Sequence, residues 1–292
     1  PYYTDDKITE SNDITGSKSI FQIHFNNEIK IWEPFSIRFS DNLYAISRNL
    51  YKNLYGNKVI FEEVNHDLQI TYRYQWNSSN KFGFVRKSEL INHSNNNYQI
   101  ELVDGIQNIM PYGVSSDLQN AASNLVDAYK RSELHQESGL GIFALSAIIV
   151  DKAEPSEALK SNIVWSTGLQ NPNYLLSSLQ LSKFRKKQNV VAENDIKGEK
   201  GAYFLNSSII LKENTKQEWM IVADVNQDHS DVAQLIDTIQ SNQNNLQLIN
   251  QDIELGTEKL IALNASSDGL QLTNDNLRDT RHFANTLFNI MR

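Results

Sequence analysis

Pairs of carboxylates are the residues of this chain whose types and spacing could do acid–base chemistry. The local pairs are Glu62 with Glu63, Glu101 with Asp104, and Glu133 with Glu137. Cleavage of a glycosidic bond uses two such groups, held several ångströms apart on either side of the bond. Glu62 and Glu63 are neighbours on a predicted strand, so they face opposite sides and cannot act together. Glu101 and Asp104 bracket a predicted turn at Asp104-Gly105, where the aspartate has a structural role. We therefore predict no catalytic residue among these pairs.

Metal and cofactor sites are not predicted either. The only close grouping among the six histidines is His135-Gln136-Glu137, which lacks the i, i+4 spacing that places two ligands on one helical face. Cysteine is absent, which excludes disulfides, thiolate metal sites and cysteine nucleophiles. The sequence contains no GxSxG motif, no phosphate-binding glycine loop and no dinucleotide fingerprint.

An aromatic face gives the one weak indication of a binding site. In residues 70–92, ITYRYQWNSSNKFGFVRKSELIN, the side chains of Tyr72, Tyr74 and Trp76 point one way along an alternating strand and Arg73 points the other way. Such rings usually fill the interior of a sandwich, but they also stack on sugar rings. Trp76 ends its strand beside a polar loop, where its ring could remain half exposed. We therefore take Trp76, Tyr74 and Arg73 as weak candidates for carbohydrate contacts.

The bulk composition restricts the class of partner. The chain has 292 residues, 40% of them hydrophobic, and carries a formal net charge of -8. An acidic surface repels phosphate backbones and anionic lipids, so we predict neither nucleic acid nor membrane as a partner. The longest apolar run, residues 142–150, is too short to span a bilayer. The composition leaves the cellular compartment undecided.

The first three-quarters of the chain has the pattern of short strands separated by turns. The predicted strands cover residues 19–27, 28–40, 58–64, 67–76, 82–92, 98–109, 139–151, 161–168, 188–193, 201–211 and 217–225. A turn is predicted at Asn26-Asn27, and Pro34 is expected at an edge or a bulge. This spacing predicts a mainly β domain over residues 1–228, a large antiparallel sandwich of two sheets.

Helical periodicity interrupts the strands once and then replaces them. Residues 115–134 predict a helix capped by Ser116 or Asp117. After Val225 the period changes, and residues 229–292 predict a region of linker helices with Ser230 as the first cap. The helical apolar stripes contain Val232, Leu235, Ile236 and Ile239, then Leu246, Ile249 and Ile253, and finally Leu277, Ala284, Leu287, Phe288 and Met291. The last stripe has no partner of its own, so we expect it to pack on the sandwich or on a domain missing after Arg292.

The order of these elements resembles one known family. The strands FEEVNHDLQITYRY and ELINHSNNNYQIEL, the run SIILKENTKQEWMIVADVNQDHSDVAQLI and the closing RHFANTLFNIMR resemble the N-terminal region of cellobiose-phosphorylase-type glycoside phosphorylases. The resemblance covers most of residues 58–292. It implies the large supersandwich fold shared with galactose-mutarotase-like domains, followed by linker helices that lead into an alpha/alpha barrel.

The resemblance also implies a function. In the family, the catalytic aspartate and the phosphate site belong to the barrel, and no position of this sequence matches them. The chain is then expected to be non-catalytic, to pack on the C-terminal catalytic domain of the same chain, and to support a homodimer or carbohydrate contacts. The alternative is a stand-alone carbohydrate-binding or aldose-mutarotase-like protein, which would need a histidine and an acid converging in a concavity of the sheet. His24, His66 and His93 lie in strands or turns, and the sequence alone pairs none of them with an acid.

Overall fold

The computed structural model describes residues 13–25, 28–37, 43–147, 158–241 and 244–292. Within these ranges the strands are β1 (Gly16–Phe25), β2 (Glu28–Trp32), β3 (Ile46–Lys52), β4 (Val59–Asn65), β5 (Ile70–Ser79), β6 (Gly83–Asn92), β7 (Tyr98–Ile109), β8 (Lys130–His135), β9 (Leu140–Leu145), β10 (Ser161–Thr167), β11 (Asn173–Leu175), β12 (Asp195–Lys197), β13 (Gly201–Leu211) and β14 (Lys216–Gln227). The helices are α1 (Ser116–Ala121), α2 (Ser123–Tyr129), α3 (Leu181–Arg185), α4 (His229–Ser241), α5 (Asn245–Asp268) and α6 (Asn276–Met291).

The strands form two antiparallel sheets, which confirms the predicted fold class. The smaller sheet has the order β11-β13-β7-β1-β2, and the larger has the order β12-β8-β9-β10-β14-β6-β5-β4-β3. Alternation along each strand sends one set of side chains between the sheets, where Phe21, Tyr72, Leu102, Tyr203 and Trp219 form the main core.

The outer faces of both sheets are partly covered. On the larger sheet, Val85, Trp165 and Met220 pack under Ile249 and Ile253 of α5. The predicted α4 stripe lies over the same cluster, so the sandwich is the partner of the first two C-terminal helices. On the smaller sheet, Leu181 and Phe184 of α3 cover Ile20, Val103 and Phe204.

Several predicted elements are wrong. The helix predicted over 115–134 ends at Tyr129, because Lys130–His135 pairs with Leu140–Leu145 as a hairpin whose pairing overrides helical periodicity. Residues 188–193 are not a strand. The strand predicted over 28–40 ends at Trp32, and its residues 38–40 lie outside the described part of the chain. Sequence reasoning missed β3, because Arg48 and Lys52 lie on the same face as Ile46 and Leu50 and interrupt the apolar alternation.

The predicted caps shift by one or two residues. Ser115 caps α1, with its hydroxyl oxygen accepting a hydrogen bond from the Leu118 amide at 3.1 Å. Asp228 rather than Ser230 caps α4, because its carboxylate accepts hydrogen bonds from the amides of Ser230 and Asp231. These backbone hydrogen bonds hold the pKa of Asp228 below its usual range. The turn predicted at Asn26-Asn27 lies outside the described residues.

Candidate functional site

The predicted carbohydrate contacts do not converge on one surface. Tyr74 lies inside the sandwich, where its ring stacks on Phe61 with centroids 4.8 Å apart. Trp76 is half-buried further along the same face of β5. Arg73 points out of the opposite face and forms an ion pair with Glu62. The structure therefore brings Tyr74 and Trp76 to one face and Arg73 to the other, and the role of all three in sugar binding stays a prediction.

Asp104 is the centre of a buried polar network, not part of a turn. It lies inside β7, and both it and Arg86 of β6 are 0% exposed. The Arg86 guanidinium donates to both carboxylate oxygens of Asp104, from Nη1 at 2.8 Å and from Nη2 at 2.9 Å. The predicted turn at Asp104-Gly105 is wrong, because the bidentate pair with Arg86 outweighs the local turn propensity and keeps Asp104 within β7.

Further donors complete the shell around Asp104. They are the Trp219 indole at 2.6 Å, the Ser19 hydroxyl at 2.5 Å, the Tyr72 hydroxyl at 3.0 Å and the Ser88 hydroxyl at 3.2 Å. Burial raises the pKa of Tyr72 well above its usual value, so its hydroxyl remains a donor. Burial alone would lower the pKa of Arg86, but the adjacent Asp104 charge raises it above its usual range. The network joins strands of both sheets and is buried, which suits an interior clamp rather than an acid–base site.

Gly105 shows why the chain is closely packed beside this network. A Cβ atom at this position would lie 2.0 Å from the Tyr203 carbonyl oxygen of the neighbouring strand β13. Only glycine allows the backbones of β7 and β13 to approach this closely.

The carboxylates of Glu62 and Glu63 lie on opposite faces of β4, as predicted. Glu63 is buried and accepts hydrogen bonds from the Trp32 indole at 2.8 Å and from Arg48 at 2.7 Å. Glu62 accepts from Asn49 at 2.8 Å on the other face. Each acid is therefore engaged in holding the edge of the sheet.

Charged side chains also form a ladder across the outer face of the larger sheet. We define the outer ladder as Glu62, Arg73, Lys87, Glu89, Lys216 and Glu218. Lys216 donates hydrogen bonds to Glu218 and Glu89 at 2.7 Å each, and these two bonds raise its pKa. The ladder is partly open to water and internally neutralised.

The grouping His135-Gln136-Glu137 does not form a metal site in the described part of the chain. His135 bonds to Ser138 at 2.8 Å, with Glu137 in the turn that follows. No group of three or more His, Cys, Asp or Glu side chains is placed to hold a metal ion among the described residues. Among the described helices, none combines the length and apolar character needed to cross a bilayer.

Helix α6 presents a surface of a different kind. Its N-terminus is capped by Asp275, whose carboxylate accepts from the Leu277 amide at 3.0 Å and the Arg278 amide at 3.2 Å. Its inner side is fixed to α5, because the Asn264 amide donates to the Phe283 carbonyl at 3.0 Å. The Phe283 ring also packs edge-on against Tyr55, with centroids 5.1 Å apart.

The outer side of α6 is apolar and uncovered. We define the α6 apolar stripe as Leu277, Ala284, Phe288 and Met291. Leu277 is 60% exposed, Phe288 65% and Met291 77%. Exposed Arg278, Arg281 and Arg292 follow one flank of the stripe. Apolar side chains clustered in this way mark an interaction surface more often than a solvated one. Of the predicted last stripe, only Leu287 is half-buried, so the sandwich is not its main partner.

Comparisons with known proteins give distant structural neighbours only. No family model matches the chain, and no curated protein matches it. A bacterial glucoamylase complexed with acarbose aligns with a TM-score of 0.48 and 12% identity, over 85% of this chain and 32% of that one. A polysaccharide lyase aligns with a TM-score of 0.40 and 14% identity, over 77% of this chain and 28% of that one.

A disaccharide phosphorylase is among the structural neighbours as well. A putative kojibiose phosphorylase from the human microbiome aligns with a TM-score of 0.38 and 10% identity, over 91% of this chain and 28% of that one. This chain thus spans about a third or less of the length of these structures. The neighbours are carbohydrate-active enzymes, and at these scores their activities are not transferred to this chain.

Proposed function

We propose that this chain is the non-catalytic β-supersandwich domain of a carbohydrate-active enzyme similar to glycoside phosphorylases. We propose that this domain packs on a catalytic barrel of the same polypeptide and supports the formation of a homodimer. The sequence resemblance supports the choice of enzyme class. The α6 apolar stripe carries the proposal, because three large apolar side chains exposed on a capped and anchored helix need a covering surface.

The state of the acidic residues supports the non-catalytic part of the proposal. Asp104 and Glu63 are buried and saturated by donors from the chain itself. A general acid for glycoside cleavage must reach the leaving oxygen of a bound sugar. Neither carboxylate can do this without dismantling the sandwich.

The experiment compares residues 1–292 with the complete product of the gene. Both proteins are incubated with phosphate and with a panel of disaccharides that includes kojibiose and cellobiose, and released sugar phosphate and reducing sugar are measured. We expect turnover by the complete product and none by residues 1–292. Turnover by residues 1–292 would contradict the non-catalytic role, and no turnover of any saccharide by the complete product would contradict the enzyme class.

Packing through α6 is tested with a matched pair of substitutions. Phe288 and Phe84 are both exposed phenylalanines, at 65% and 53%, but only Phe288 belongs to the α6 apolar stripe. In the complete product we expect Phe288→Ser to lower turnover and to loosen the domain in limited proteolysis. Phe84→Ser should leave both unchanged. Equal effects of the two substitutions would show that α6 is not the surface that packs on the catalytic barrel.

A further inference from the structure

The outer face of the smaller sheet carries a groove that the proposed packing through α6 does not use. Helix α3 and the loop after it cover part of this face, and a cavity of about 450 Å³ lies beside them. This volume lies within the ~300–1,000 Å³ typical of small-molecule sites. We define the polar groove by its lining residues, which are Gln22, His24, Ile29, Glu101, Asn173, Phe184, Lys187, Gln188, Asn189, Val190 and Asn206.

Strand register builds the floor of the polar groove. Gln22 of β1 lies directly opposite Glu101 of β7, and His24 is two residues further along β1 on the same face. Asn206 of β13 comes from the next strand, where its amide donates to the Leu102 carbonyl at 3.0 Å. The floor is therefore rigid sheet, with the carboxylate of Glu101 and the ring of His24 facing the same space.

The wall of the groove is held in place by contacts on both sides. The Gln22 amide donates to the Phe184 carbonyl at 2.7 Å, tying the wall to the floor. Arg185 forms an ion pair with Glu33 at 2.7 Å. The Glu193 carboxylate accepts from the Leu176 amide at 2.7 Å, which closes the base of the loop. A wall fixed in this way loses little entropy when a ligand binds.

The chemistry of the lining favours an uncharged ligand rich in hydroxyl groups. Five lining side chains are amides, and within the described part of the chain those of Asn173, Gln188 and Asn189 make no hydrogen bond. An amide both donates and accepts, which matches a hydroxyl group that does the same. Glu101 and Lys187 supply one charge of each sign, so the lining has no net charge to attract an ion.

We propose that the polar groove binds a neutral saccharide through these amides and Glu101. The inference rests on the proposed function for its choice of ligand class, and it adds a binding site on the sheet opposite the one that α4 and α5 cover. It also differs from the predicted contacts at Trp76 and Tyr74, because it relies on hydrogen bonds rather than on ring stacking.

The test is a titration of the purified chain with maltose and, separately, with cellobiose, followed by ¹H–¹⁵N NMR of side-chain amides and tryptophan indoles. We expect saturable shifts of the Gln188 and Asn189 amide groups. Asn189→Ala and Glu101→Ala should each weaken binding by about tenfold, roughly the value of one hydrogen bond. Gln99→Ala is the matched control, because Gln99 points outward from β7 two residues before Glu101 but does not line the cavity.

Each other outcome overturns the inference. Shifts confined to the Trp76 indole would place the sugar at the aromatic strand end instead. Equal weakening by Gln99→Ala and Glu101→Ala would show non-specific contact, and absence of saturable shifts would show no site. If no saccharide binds in the polar groove but the complete gene product turns over saccharides, only the proposed groove site is wrong. If a saccharide binds in the groove but the complete gene product turns over none, the proposed enzyme class is wrong and the groove site stands.

Discussion

The charged side chains on the two faces of the larger sheet form ion pairs with different consequences for stability. On the inner face, Arg86 and Asp104 form a bidentate pair with no exposure to solvent. On the outer face, Arg73 and Lys216 pair with glutamates in the outer ladder, and the Arg73 side chain remains 40% exposed. Burial decides what such a pair does for the fold. Removing one member of a buried pair leaves the other charge buried without a partner, whereas water solvates the remaining charge of an exposed pair.

The largest expected effect comes from breaking the inner pair. Asp104→Ala leaves the Arg86 guanidinium buried without its carboxylate and also strips the Trp219 indole of its acceptor. We expect a loss of about 3–5 kcal/mol in the free energy of unfolding, measured by urea denaturation. The double substitution Arg86→Met with Asp104→Leu should recover part of that loss. If the double variant loses more stability than the two single substitutions lose in sum, the explanation by an unpaired buried charge is contradicted.

An apolar version of the same contrast compares α5 with α6. Ile253 is buried against the outer face of the larger sheet, and Met291 is 77% exposed in the α6 apolar stripe. Ile253→Ala should cost about 2–4 kcal/mol by removing buried methylene groups and leaving a cavity. Met291→Ala should change the stability of residues 1–292 by less than about 0.5 kcal/mol. Thermal unfolding of the two variants measures both, and similar losses would mean that the stripe is covered within this chain.

Substitution in the outer ladder should have only a small effect on stability at neutral pH. Lys216→Met removes contacts to Glu89 and Glu218 that are open to water. We expect a loss of about 0–1 kcal/mol, which becomes smaller as salt is added. A loss that is larger, and independent of salt in denaturation experiments, would indicate that the ladder is as important as the buried pair.

The contribution of the ladder depends on pH with a definite sign. Burial raises the pKa of Glu218, but the hydrogen bond from Lys216 and the charge of Lys87 lower it below its usual range. A carboxylate whose pKa is lowered by folding gives stability above its unfolded pKa of about 4.3, and this stability is lost as the pH falls through the folded value. The pKa of Lys216 is raised, so its contribution is present below its unfolded pKa of about 10.4 and is lost as the pH rises through the folded value.

The corresponding measurement is the stability difference between the unsubstituted chain and Lys216→Met as a function of pH. We expect a plateau at neutral pH and a decrease at both extremes. A difference that grows as the pH falls below 4 would contradict the assignment.

Sequence reasoning found the features that repeat along the chain with the period of a strand or a helix. Alternation placed Tyr72 and Tyr74 on the inner face of β5, and helical spacing placed Ile249 and Ile253 on the inner face of α5. In both cases burial of one face repeats along the chain at the period of the element. The sequence alone therefore indicates the two-sheet fold and the apolar faces of the helices.

The features that it missed depend on partners distant in the chain. Asp104 has the local sequence pattern of a turn, yet its hydrogen-bond donors Arg86 and Trp219 are 18 and 115 residues away in the chain. The polar groove likewise joins β1, β7 and β13 with a loop near residue 188. Only pairing of those strands shows that His24, which the sequence leaves without an acid, shares a cavity with Glu101.

Hydrogen–deuterium exchange of helix α6 tests the proposed packing most directly. The peptide covering Asn276–Met291 is compared in residues 1–292 and in the complete product of the gene, with the α5 peptide as an internal reference. We predict that α6 exchanges much more slowly in the complete product while α5 changes little. Equal exchange of α6 in the two proteins would show that nothing covers its apolar stripe and would contradict the proposed packing on a catalytic barrel.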